Sequence, residues 1–232
     1  MQYLGGKWRI AKKLAAKIHE IVPDAREFWD PFCGGLSMSV ALSAYGRVVA
    51  TDACKPLIAL YEAARDGWEP PTEVSREAWQ SAKSLPDSDP LKAFIGFGNS
   101  FGGKWFGGWA QPDQKNDYAR ASRNALKRDV PKIANFGAID WVAVEPQKID
   151  AAIYCDPPYD GTAQYAGVPP FERSTFLQRL REWSRHEHVF VSEYDLPIGQ
   201  IVGEWVVPLR VAKGTGEPRR ERLYYLPKGF QW

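Results

Sequence analysis

The chain has 232 residues, of which 44% are hydrophobic and 25% charged, and its formal net charge is +2. That suits a globular domain, alone or with a sizeable insertion, whose core needs no disulfide or metal support. It leaves nucleic-acid binding open, because a local basic face matters more than the total charge. Cys33, Cys54 and Cys155 are odd in number and lack C-x-x-C spacing, which argues against a zinc site or disulfide framework and for a reducing compartment. His19, His186 and His188 form no metal-ligand spacing either, so no metal is expected. No apolar run approaches the roughly 18–20 residues that span a bilayer. Met1 to Gly6 leads straight into a basic amphipathic segment rather than a signal-peptide core. The expected location is the cytoplasm, with no membrane partner.

Ile10, Leu14, Ile18 and Ile21 recur at helical spacing and predict a helix over residues 8–22, stopped by Pro23. Glu27 to Asp30 reads as a short strand that runs into a tight turn, Pro31-Phe32-Cys33-Gly34-Gly35. A helix over 37–44 follows, then a buried strand over 48–51 ending at Asp52, then a helix over 56–65. Strand, glycine turn, helix, strand and acid in this order open a doubly wound parallel sheet. The pattern breaks near Gly67. Residues 67–90 are rich in Pro, Ser and Asp, with a short helix expected over 76–84. Residues 96–118 are rich in Gly and aromatics, and a basic helix is expected over 118–127. The sheet pattern resumes with a strand over 151–155, a helix over 174–184 and a strand over 189–192. A final antiparallel pair is expected over 205–211 and 222–226. A mostly helical insertion, 66–140, thus interrupts an α/β domain made of 1–65 and 141–232.

The sharpest chemical signal is Asp156-Pro157-Pro158-Tyr159, directly after an apolar strand. That is the sheet edge where open α/β folds bind ligands. Two prolines fix the backbone and remove two amide donors, leaving the Asp156 carboxylate and the Pro157 carbonyl as oriented acceptors. A planar aromatic amine could donate both N–H groups to them while its ring stacks on Tyr159. The N6 lone pair of adenine is delocalised into the ring and is a poor nucleophile. Two acceptors pulling on its hydrogens would favour a more pyramidal nitrogen, with its lone pair aimed at a sulfonium methyl.

The second signal is the Gly34 turn with Asp52, 18 residues on at the next strand end. Glycine lets backbone approach a ligand closely, and the acid is spaced to hold ribose hydroxyls. This fits either NAD or S-adenosylmethionine, and the absence of G-x-G-x-x-G favours the latter. The third signal is Tyr3-Leu4-Gly5-Gly6-Lys7, which lacks the pattern of a phosphate-binding loop. Lys7 at a helix start suits a carboxylate partner.

In this order the three segments resemble the Dam-like (D12 class) adenine-specific DNA methyltransferases, a family with many phage enzymes and with members in restriction–modification. Its pattern is aromatic-x-G-G-K, P-F-x-G-x-G-S, an acidic strand end, a helical target-recognition insertion and D-P-P-Y. The likeness extends over nearly the whole chain. It implies a doubly wound, Rossmann-like methyltransferase sheet in which 66–140 recognises the DNA target. It implies that Tyr3, Lys7, Asp30, Phe32, Gly34, Asp52 and Asp156 bind S-adenosylmethionine, Lys7 through its carboxylate. Asp156, Pro157, Pro158 and Tyr159 would be catalytic, and double-stranded DNA the partner. One departure is visible: the second glycine of the family pattern is Leu36 here, with Gly35 before it. Lys104, Arg120, Arg123 and Lys127 are candidate phosphate contacts, the last three at spacings that share a helical face. RNA adenine N6 or cytosine N4 are alternative targets, and a catalytically silent nucleic-acid-binding protein of the same fold is the reading from another class.

Overall fold

The computed structural model describes residues 1–145, 151–158, 168, 170–211 and 214–230, with backbone alone for 208–211 and 214–219. Seven strands form one mixed sheet in the order β3-β2-β1-β4-β5-β7-β6. They are β1 (Glu27–Asp30), β2 (Arg47–Thr51), β3 (Asn135–Gly137), β4 (Ala151–Cys155), β5 (His188–Glu193), β6 (Gln200–Val211) and β7 (Gly214–Leu226). β1 to β5 pair in parallel, and β7 inserts antiparallel between β5 and β6. The expected doubly wound, Rossmann-like sheet is therefore present. From β1 the order runs one way to β2 and β3 and the other way to β4 and β5. The reversal lies between β1 and β4, where such sheets open a crevice beyond their carboxyl ends. Asp30 ends β1 and Asp156 follows β4, so the two acids flank that crevice.

The helices are α1 (Ala11–Ile21), α2 (Ser37–Leu42), α3 (Lys55–Arg65), α4 (Arg76–Ser81), α5 (Pro90–Gly96), α6 (Tyr118–Asp129) and α7 (Arg173–Ser184). α1 begins three residues later than the periodicity predicts. The Lys7 carbonyl accepts from Ile10 and Ala11 at 2.9 and 2.8 Å, and the Lys7 amide donates to Ser37 Oγ at 3.0 Å. These bonds tie the approach to α1 onto α2 and replace the expected first helical turn. Ser75, Asp89 and Asp117 cap α4, α5 and α6, each accepting a backbone N–H of the first turn. The final hairpin is longer than predicted because two register shifts, one beside Pro208, let the ladder continue past its breakers.

One core cluster packs α1, α2 and α3 with Phe28, Ala50 and Tyr154 of the sheet. Val74, Trp79, Phe94, Phe97 and Leu126, all within 66–140, belong to the same cluster, and β3 of that segment is a sheet strand. A second cluster packs Phe176, Leu180 and Trp183 of α7 against Ile153, Val189 and Val191. Among the described residues no helix is long and apolar enough to cross a membrane.

Candidate functional site

Asp30 is buried at the end of the central strand. Its Oδ2 accepts from Ser39 Oγ of α2 at 2.5 Å, while Oδ1 is buried with no hydrogen-bond partner among the described residues. Burial pushes its pKa up to about 7, the Ser39 hydroxyl offsets part of this, and the charges of Asp156 and Asp52 add to it. An unsatisfied buried acceptor of this kind is costly and points to a donor that arrives with a ligand.

The turn after Asp30 is held from three sides. Cys33 N–H donates to the Thr51 carbonyl at 3.0 Å, Tyr61 Oη donates to the Gly34 carbonyl at 2.6 Å, and Gly34 N–H donates to Asp52 Oδ2 at 2.9 Å. Asp52 Oδ1 accepts from Cys54 N–H at 2.9 Å. Each Asp52 oxygen keeps a lone-pair direction beyond these amides, as ribose hydroxyls would need. Burial nevertheless raises the Asp52 pKa, with the two amides acting against it. Gly34 has φ +41°, and a Cβ there would lie 2.7 Å from the Tyr3 ring. Tyr3 therefore packs directly on this turn, with Phe97 on another side at a ring separation of 4.9 Å. Leu36, where the family pattern has glycine, holds the left-handed conformation itself, with φ 62° and ψ 14°. The turn follows the path a glycine would permit, although a leucine occupies it.

Lys7 reaches across the crevice to the D-P-P segment. Its Nζ lies 2.9 Å from Asp156 Oδ1 and 3.2 Å from Glu221 Oε1. Burial alone would lower the Lys7 pKa, but the Asp156 and Glu221 carboxylates outweigh it and hold the pKa above the ordinary lysine value. Pro157 is buried and Pro158 half-buried, while Tyr159 lies outside the described residues. Behind Asp156, Tyr154 Oη bonds Ser192 Oγ at 2.7 Å and braces β4 against β5. Glu221, on β7, is the residue that sequence reasoning missed.

Phe32 lies within an aromatic group with Trp141, Phe171 and Phe176, at ring separations of 6.0, 6.2 and 5.8 Å. Tyr3, Lys7, Asp30, Gly34, Asp52 and Asp156 thus gather at the carboxyl ends of β1, β2 and β4, with Phe32 on the α7 side. The candidate DNA contacts lie elsewhere. Lys104 is exposed in the Gly/aromatic turn, which meets the site at Leu4 N–H and the Gly103 carbonyl, 3.1 Å apart. On α6, Arg120 is 76% exposed and lies 3.1 Å from its cap Asp117. Arg123 and Lys127 both pair with Glu69, at 2.7 and 2.8 Å.

No curated protein matches the chain. Solved structures similar to it include the rRNA methyltransferase AviRa from Streptomyces viridochromogenes, 14% identical with a TM-score of 0.44, covering 97% of this chain and 87% of that one. The N-terminal domain of human METTL16 in complex with SAH is 10% identical with a TM-score of 0.34, covering 95% of this chain and 68% of that one. Residues 3–90, the span that carries Tyr3, Lys7, Asp30, Phe32, Gly34 and Asp52, match the D12 class N6 adenine-specific DNA methyltransferase family.

Proposed function

We propose that the chain is an S-adenosylmethionine-dependent methyltransferase that methylates adenine N6 in double-stranded DNA. One observation carries this reading. Asp156, first residue of the D-P-P-Y segment, is joined to Lys7 of the Y-x-G-G-K segment at 2.9 Å, at the crevice that Asp30 also flanks. The residues fit the cofactor. Asp30 offers a buried, unsatisfied oxygen to an ammonium, and Asp52 offers acceptors to ribose hydroxyls. When bound, the cofactor supplies an electrophilic methyl group on a sulfonium.

The chain's own residues do the rest. Asp156 and the Pro157 carbonyl accept the two N–H bonds of the amine and orient its lone pair, with Tyr159 stacking on the base. An adenine paired inside a duplex must leave the stack to reach them. Residues 66–140 form the target-recognition segment, with Lys104, Arg120, Arg123 and Lys127 toward phosphates. Phosphates would displace Glu69 from Arg123 and Lys127. The enzyme works in the cytoplasm.

The test is methylation of duplex DNA by the purified protein with labelled cofactor, read by mass spectrometry of the nucleosides. N6-methyldeoxyadenosine is the expected product. Asp156→Ala should lower the rate by about 10²–10³-fold, as for loss of one preorganised acceptor. Product only on RNA, or only at cytosine N4, would replace the substrate assignment. Binding without product would leave a silent nucleic-acid-binding protein.

A further inference from the structure

We propose that Glu221 is a positioning residue, which from β7 holds the Lys7 ammonium against Asp156 and keeps it charged when Asp156 loses its own charge. The inference rests on the methyltransferase reading above and assigns a role to a residue outside both the matched span and the recognised motifs.

The geometry is a buried ammonium between two carboxylates. The Lys7 and Glu221 side chains are 7% and 6% exposed, and Lys7 Nζ lies 3.2 Å from Glu221 Oε1 and 2.9 Å from Asp156 Oδ1. The strand's alternation isolates this face. Arg220 and Arg222, on either side of Glu221, point the other way and bind Glu204 at 2.7 and 3.0 Å. Across the ladder Glu221 pairs with Trp205, not with a cation. Asp30 from β1 and Tyr154 and Cys155 from β4 are also coupled to Asp156.

One carboxylate would be enough to neutralise Lys7. The second matters once chemistry starts. The amine lone pair forms the N–C bond, the C–S electron pair stays on sulfur, and the proton released from nitrogen goes to the Asp156 carboxylate. At that moment Asp156 is neutral. With Asp156 as its sole partner, Lys7 would be a buried cation without a counter-charge, and burial strongly favours loss of its proton. Glu221 supplies the counter-charge through this step, so Lys7 stays an ammonium and Asp156 stays in place.

The experiment compares parent, Glu221→Gln and Glu221→Asp. Lys7 Nζ is titrated by NMR in the protein alone, without DNA or cofactor. The acid dissociation constant of Lys7 should rise at least tenfold in Glu221→Gln and return most of the way in Glu221→Asp. An unchanged constant in Glu221→Gln overturns the proposal. The alkaline limb of the single-turnover rate should move to lower pH in Glu221→Gln and return in Glu221→Asp, and an unmoved limb also overturns it. If Glu221→Gln does not fold, Glu221→Asp decides: its shorter reach should still raise the constant measurably, and parental behaviour overturns the proposal. A parent that methylates no adenine removes the functional reading, while the Lys7 titration still judges Glu221.

Discussion

Asp52 holds the Gly34 amide at 2.9 Å, so the acid at the end of β2 fastens the turn at the end of β1. Its other oxygen holds Cys54 N–H at the start of α3. The residue expected to bind ribose thus also shapes the loop beside it. Asp52→Ala should therefore lower stability even without cofactor, by less than the roughly 1.5–3 kcal/mol of hydrogen bonds to a charged acceptor, because it also removes the burial penalty that raises the Asp52 pKa. Thermal unfolding of the cofactor-free protein checks this, and calorimetry should show weakened cofactor binding as well. An unchanged melting temperature would mean that Asp52 has no part in holding the turn.

Leu36 sets two effects against each other. A left-handed conformation costs a non-glycine residue about 1–2 kcal/mol, which Leu36→Gly would recover. The side chain is buried in the main core cluster, and removing a buried leucine costs about 2.7–5 kcal/mol before any glycine flexibility is counted. Burial wins, so Leu36→Gly should destabilise by about 1–4 kcal/mol although it restores the family pattern. Denaturant midpoints test the sign, and a more stable variant would show that strain dominates this turn.

Strands with strong local signals were legible. β4 is five consecutive buried residues ending at Cys155, just before Asp156, and its limits match the prediction. β3 was not legible, because Asn135–Gly137 has no alternation of its own and is a strand only through pairing with β2. α5 was missed because it starts where the stretch rich in Pro, Ser and Asp ends and runs into the one rich in Gly and aromatics. Its signals were the cap Asp89 and Pro90 at the first helical position, which read equally well as a turn. Within the site, the motif residues were found because each is bound to a recognisable turn. Glu221 was missed because it sits between two arginines and reads as a solvated strand face. Only the alternation of β7, with Arg220 and Arg222 on Glu204 and Glu221 on Lys7, separates the two faces.

Glu69 governs how much positive charge α6 can offer. It binds both Arg123 and Lys127, and Arg120 lies against its cap Asp117, so all three helix cations expected at phosphates already have a carboxylate partner, two of them sharing Glu69. Glu69→Gln should release those two. Non-specific DNA affinity should rise, and the slope of log affinity against log salt should steepen by about one to two units. Anisotropy titrations across a salt series measure both. Equal slopes for parent and variant would mean that α6 does not meet phosphates.

Asp30 should couple stability, cofactor binding and pH. Its pKa of about 7 lies above the carboxylate range, chiefly through burial, so the folded protein keeps a proton that the unfolded chain gives up. The sign follows from linkage: this stabilisation is present at low pH and is lost as pH rises from about 4 to about 7. Asp30→Asn cannot ionise and escapes that loss. Relative to the parent it should become progressively more stable between about pH 4 and pH 8, read as the difference in melting temperature. Binding should move the opposite way. An incoming ammonium at the unpartnered Oδ1 favours the carboxylate, so cofactor binding near neutral pH should release a proton from Asp30. Calorimetry at pH 6.5 in buffers of different ionisation enthalpy should show this release, and it should vanish near pH 9, where Asp30 is already ionised. Asp30→Asn should lose both the release and most of the affinity. Full affinity in Asp30→Asn, or binding at pH 6.5 with no proton release, would mean that the buried acid does not hold the ammonium.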